Sequence, residues 1–90
     1  MGKRVGIVIQ KNQAEGLRVS GGISVLGDEV TVFLLDRPLS SAADVTVNMD
    51  MVREVGISLF TNVLPPSEFT PATPEEIAGR LLEQDVVLTF

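Results

Sequence analysis

Four short apolar runs recur along the 90 residues: RVGIVI at 4–9, EVTVFLLD at 29–36, ISLFT at 57–61 and DVVLTF at 85–90. Segments with helical patterning separate them. The runs are apolar at nearly every position rather than at every second one, which is how a strand buried on both faces reads. Such a strand needs cover on two sides. Alternating β and α segments supply it when helices cross a parallel sheet by right-handed connections. The expected fold is one domain over residues 1–90: a small, open, three-layer α/β sheet of about four parallel strands with helices on both faces.

Local signals place the helices. Asn12 followed by Glu15 has the spacing of a capping box, and the first helix is expected to run to about Leu26, with Gly16, Val19, Ile23 and Leu26 on one face. Gly21 and Gly22 weaken it by about 1 kcal/mol each relative to alanine, and they allow a close approach to a sheet or a partner. Gly27 suits the helix end. RPLSSAADVTV reads as a loop, with Asn48 capping a second helix whose buried stripe is Met49, Val52 and Val55 and whose end is Gly56. PPSEFTPAT reads as a second loop. TPEEIAGRLLEQ carries the clearest signal, with Thr73 as cap, Pro74 at the first helical position and Glu76 closing the box.

Residue types then restrict the chemistry. The chain has no cysteine and no histidine, which removes thiol chemistry, the commonest general base and the commonest metal ligand. Seven basic residues against twelve acidic ones give a net charge of −5, so no nucleic-acid partner and no anionic membrane surface are expected. The apolar stretch of MGKRVGIVIQ is too short for a secretory signal, and no run approaches the length of a membrane span. A cytoplasmic location is expected. Hydrophobic residues make up 44% of the chain, a surplus in so small a domain that favours a subunit interface.

Ligands of open α/β sheets bind beyond the carboxyl ends of the strands. The loops there offer Gln10, Asn12, Asp36, Ser40, Ser41, Thr61, Asn62 and Glu68. Of these, Asn12, Asp36, Thr61 and Asn62 are the candidate ligand-binding residues. Asp36 reads either as a ribose- or metal-binding carboxylate or as a loop-entry residue paired with Arg37. QKNQAEG lacks the glycines of a dinucleotide fingerprint. Ser40 and Ser41 have no histidine or S-x-x-K lysine to activate them. Glu75 and Glu76 suit a helix N-terminus electrostatically. No catalytic residue, metal site or cofactor is assigned, and an enzyme working through carboxylates would have Asp36 as its key residue.

EGLRVSGGISVLGDEVTVFLLD, NMDMVREVGISLF and the terminal DVVLTF, taken in this order and spacing, resemble the DsrE/DsrF-like sulfur-relay family across nearly the whole chain. The resemblance implies a flavodoxin-like parallel α/β domain that assembles into trimers or hexamers. It also implies a persulfide-carrying cysteine at or just after the end of the third strand. That place reads Phe60, Thr61, Asn62 here. A threonine hydroxyl offers neither the sulfur nor the accessible anion that a thiol supplies. The expected function is therefore a non-catalytic DsrE-like subunit. It would form homo-oligomers, or hetero-oligomers with cysteine-bearing relatives, in intracellular sulfur relay. The alternative is a small-molecule binding module with its pocket at the strand ends, near a subunit interface.

Overall fold

The computed structural model of the chain describes residues 2–63 and 68–90. Its elements run β1 (Arg4–Ile9), α1 (Gln13–Val25), β2 (Glu29–Leu34), α2 (Ala43–Glu54), β3 (Ser58–Thr61), β4 (Thr70–Pro71), α3 (Pro74–Leu82) and β5 (Val86–Thr89). The strands form one sheet in the order β4-β3-β2-β1-β5, with every pairing parallel. The chain steps outward from β1 to β4, then returns through α3 to β5 on the other side of β1. Right-handed crossovers put α1 and α2 on one face and α3 on the opposite one.

Two clusters of buried side chains reflect this division. Val5, Ile7 and Ile9 of β1, Val30, Val32 and Leu34 of β2, and Leu59 of β3 meet Leu17 of α1 and Val45, Met49 and Val52 of α2. The intervening residues Val8 and Phe33 point the other way and meet Ile77 of α3. The three-layer α/β architecture expected from the apolar runs is thus the architecture observed. The strand order is not the flavodoxin order 2-1-3-4-5, because β2 and β3 both continue to the same side of β1. A fifth strand, β4, extends the sheet where a loop was expected. The Pro65-Pro66 turn of that segment lies outside the described residues.

Three local expectations are corrected. The Asn12–Glu15 capping box does not form: the Asn12 side chain makes no cap hydrogen bond, and the Glu15 carboxylate accepts from Arg18 Nε instead. The buried side of α1 comprises Gln13, Gly16, Leu17, Ser20 and Gly21, whereas Leu26 is 85% exposed. Small residues face inward because α1 is wedged between the sheet and α2. A Cβ on Gly21 would lie 2.4 Å from Met51 Cε, so the close approach that this glycine permits is to a neighbouring helix of the same chain. Helix α2 starts at Ala43, with Ala42 as its cap residue, and Asn48 lies inside it. Asn48 Nδ2 donates to the Ala14 carbonyl at 2.9 Å, tying α2 to α1. Burial of Val45 beside Met49 and Val52 draws residues 43–47 into the helix.

Gly22 shares α1 with Gly21 but faces open space, and a Cβ there would meet nothing within 4 Å. Gly22→Ala should therefore stabilise the fold by about 0.5–1 kcal/mol, through helix propensity alone. A urea titration followed by circular dichroism reads this as a higher midpoint at unchanged slope.

The α3 signal is realised as expected. Thr73 Oγ1 accepts from Glu76 N at 3.1 Å, and Glu76 Oε1 accepts from Thr73 N at 2.9 Å. The Thr73 backbone N–H, followed by its hydroxyl, holds the Glu76 carboxyl below its ordinary pKa of 4.5. A depressed folded-state pKa means that the Glu76 carboxylate's share of the box is fully present above about pH 4.5 and is lost as pH falls through the lower folded value. Thr73→Ala should cost about 1 kcal/mol at neutral pH. The difference from wild type should shrink in acid, which denaturation at pH 7 and pH 3 checks.

Candidate functional site at the strand ends

The loops leaving β1, β2 and β3 emerge side by side at the carboxyl edge of the sheet, and side chains tie them together. Strand β2 ends at Leu34 because Asp36 takes a left-handed backbone conformation, φ 71°. Aspartate and asparagine tolerate that region better than most residues. The Asp36 N–H donates to Asn62 Oδ1 at 2.8 Å, and Asn62 Nδ2 donates back to Asp36 Oδ1 at 3.1 Å. Gln10 Nε2 donates to Asp36 Oδ2 at 3.2 Å. One residue from each loop thus joins a single network. Asp36 takes these bonds from Gln10 and Asn62, and no ion pair joins it to Arg37 among the described residues.

Beside this network lies an open cleft of about 630 Å³, between the starts of α1 and α2. Its wall includes Lys11, Asn12, Gln13, Arg37, Ser40 and Asp44. Gln13, nearly buried, fixes one side of the cleft to the other. Its Nε2 donates to the Pro38 carbonyl at 2.9 Å, and its Oε1 accepts from Ser40 N at 2.7 Å. The loop after β1 is pinned from a third direction, since Gln10 N and Lys11 N both donate to the Phe90 carbonyl, at 2.8 and 3.0 Å. These bonds hold the walls of the cleft and the neighbouring strand ends in place.

The four candidate ligand residues separate in space. Asn12 lines the large cleft. Asp36 and Asn62 bind each other, and Asn62 also borders a smaller pocket of about 250 Å³ at the start of α3. Thr61 is fully buried, and its hydroxyl accepts from Val63 N at 3.3 Å, so Asn62 is the exposed member of that pair. Phe60 points to the other face of the sheet, where its ring stacks on Phe33 at 6.0 Å and carries the Arg80 guanidinium at 4.2 Å. Glu68 lies apart from the rim, accepting from Arg53 Nη2 at 2.8 Å. The Ser40 hydroxyl accepts from Ala42 N. Gln13 and Arg37 were not among the sequence candidates. A glutamine on the inward face of α1, one turn before Leu17, was the available signal for the first; the charge directly after the end of β2 was the signal for the second.

Among the described residues, no group of three or more aspartate or glutamate side chains stands together to hold a metal ion, and no helix is long and apolar enough to cross a membrane. Comparison with known proteins finds no matching family model, no matching curated protein and no matching solved structure. The DsrE/DsrF-like resemblance therefore rests on the sequence stretches that suggested it.

Proposed function

We propose that this chain is a non-catalytic binding module that holds a small polar molecule in the cleft between the starts of α1 and α2. The observation that carries the reading is a cleft tied across by Gln13, next to a network that fixes the strand ends. Gln10, Asp36 and Asn62 link three consecutive strand ends, and Gln13 fastens the β2–α2 loop to α1. A rigid concave site with convergent polar groups is what small-molecule recognition requires. The sequence supplies neither thiol nor imidazole to act on the bound molecule. A thermal-shift screen with nucleotides, thiol metabolites, sugars, amines and organic acids at millimolar concentration tests the reading. A ligand present at ten times its dissociation constant adds about 1.4 kcal/mol of stability, which raises the Tm of a domain this size by roughly 6–11 °C. Absence of stabilisation by every class would overturn the proposal.

A second proposal keeps the DsrE/DsrF-like resemblance: a non-catalytic subunit of a trimer or hexamer, homomeric or shared with cysteine-bearing relatives, serving sulfur relay in the cytoplasm. The observation favouring an assembly is the β5 edge. Residues 86–90 have no charged side chain, and Val87 is 43% exposed. Free edges usually carry charge or proline, as the opposite edge does at Pro71 of β4. Gentle affinity purification from the native host, with light scattering and mass spectrometry, decides it. Cysteine-bearing partners in fixed ratio support relay; a monomer eluting alone contradicts the assembly.

A further inference from the structure

We infer that the molecule held in this cleft is a small organic anion bearing a carboxylate or phosphate group; the inference rests on the binding reading above and adds the ligand's charge. Of the seven basic residues, Arg4 pairs with Glu29, Arg18 with Glu15, and Arg53 with Asp50 and Glu68. Arg80 lies over the Phe60 ring. Lys3 precedes β1, at the opposite end of the sheet. The remaining two, Lys11 and Arg37, both line the cleft, and neither has an ion-pair partner among the described residues.

The cleft also contains two carboxylates: Glu15 is ion-paired with Arg18, whereas Asp44 has no cation partner among the described residues. Glu15 accepts from Arg18 Nε at 2.5 Å, and Asp44 Oδ1 accepts from Val45 N at 2.9 Å. Lys11 and Arg37 outnumber the one carboxylate without a cation, Asp44, so the balance of charge in the cleft is positive, in a protein whose net charge is −5. Polar donors accompany it. The Asn12 side chain makes no cap hydrogen bond, and Gln13 holds the loop that carries Arg37 by its bonds to Pro38 and Ser40. A guanidinium can grip a carboxylate or phosphate through two parallel hydrogen bonds, and an ammonium adds a point charge beside it. A neutral or cationic ligand would leave that positive surplus unmatched.

The test is an amide chemical-shift titration of the ¹⁵N-labelled full chain with inorganic phosphate and with glutarate, at low and high NaCl. Glycerol and putrescine serve as the neutral and cationic probes. The expected result is saturable shifts at residues 11–15 and 37–45 with phosphate, glutarate or both. Affinity should fall as salt rises, and Lys11→Gln and Arg37→Gln should each weaken binding about tenfold. Both variants replace exposed side chains, and unchanged circular dichroism establishes that the fold is intact. Which anion binds more tightly separates phosphate from carboxylate recognition. If glycerol or putrescine shifts the cleft amides and neither anion does, the anionic inference falls while the binding reading stands. If no probe shifts these amides, the inference also falls, and the thermal-shift panel decides the binding reading on its own.

Discussion

Phe33→Ala should unfold most of the population that wild type keeps folded under mild denaturant, with a loss of about 3–5 kcal/mol. Phe33 is fully buried, and with Val8 and Ile77 it forms the core beneath α3. Its ring also stacks on Phe60 at 6.0 Å with an interplanar angle of 23°. The α3 face is the thinner side of the molecule, because one nine-residue helix covers it and contributes one buried side chain, Ile77. Removing the ring leaves a cavity that Val8 and Ile77 cannot fill from a rigid strand and a short helix. A domain of this length is stable by roughly 5–13 kcal/mol in total, so the loss is a large fraction of what holds it together. Urea unfolding followed by circular dichroism should show a sharply lower midpoint. A loss below about 1 kcal/mol would mean that α3 is not seated on Phe33 as described.

Gly16→Val is the second large effect, and it reaches the site. A Cβ at Gly16 would lie 2.7 Å from both Cδ1 and Cγ1 of Ile9, and 3.4 Å from Phe90 Cβ. Ile9 is 1% exposed and fixed in the main core, so α1 itself has to move away from the sheet. Overpacking of this kind costs about 1–3 kcal/mol, opposite in sign to the gain expected from Gly22→Ala six residues along the same helix. The displacement should extend to the first turn of α1, where Asn12 and Gln13 line the cleft. Gly16→Val should therefore bind any cleft ligand more weakly than Gly22→Ala does. Equal stabilities and equal affinities for the two variants would contradict the close packing of α1 on β1.

The parts legible in sequence were those whose signal is local. RVGIVI marks β1 with its observed bounds, because a doubly buried strand is apolar without a break. Thr73, Pro74 and Glu76 announce α3, because the capping box is closed within four residues. The start of α2 was not legible. Val45, Thr46 and Val47 are weak helix formers, and Asn48 imitates a cap. What makes the stretch helical is burial of Val45 against the sheet and the bond from Asn48 to Ala14, 34 positions away. Strand β4 was hidden for a similar reason. Pro71 argues against a strand, and only the ladder against Phe60 and Thr61 defines it.

The site divides along the same line. Asp36 and Asn62 could be named because each sits where an apolar run stops. Their mutual hydrogen bonds could not be, since they depend on the lateral order of β2 and β3. Gln13 looks like one polar residue among several. Its role appears once the chain has folded far enough to bring Pro38 and Ser40, 25 and 27 positions later, against it.

The cleft between the starts of α1 and α2 is the proposed ligand site. A crystallographic soak of the full chain with a library of small polar fragments, neutral and charged, tests it most directly. The expected result is fragment density in the cleft bordered by Asn12, Gln13, Arg37 and Ser40, with the Gln10–Asp36–Asn62 network unmoved. Fragments that gather elsewhere, on the α3 face or along β5, and leave that cleft empty would contradict it.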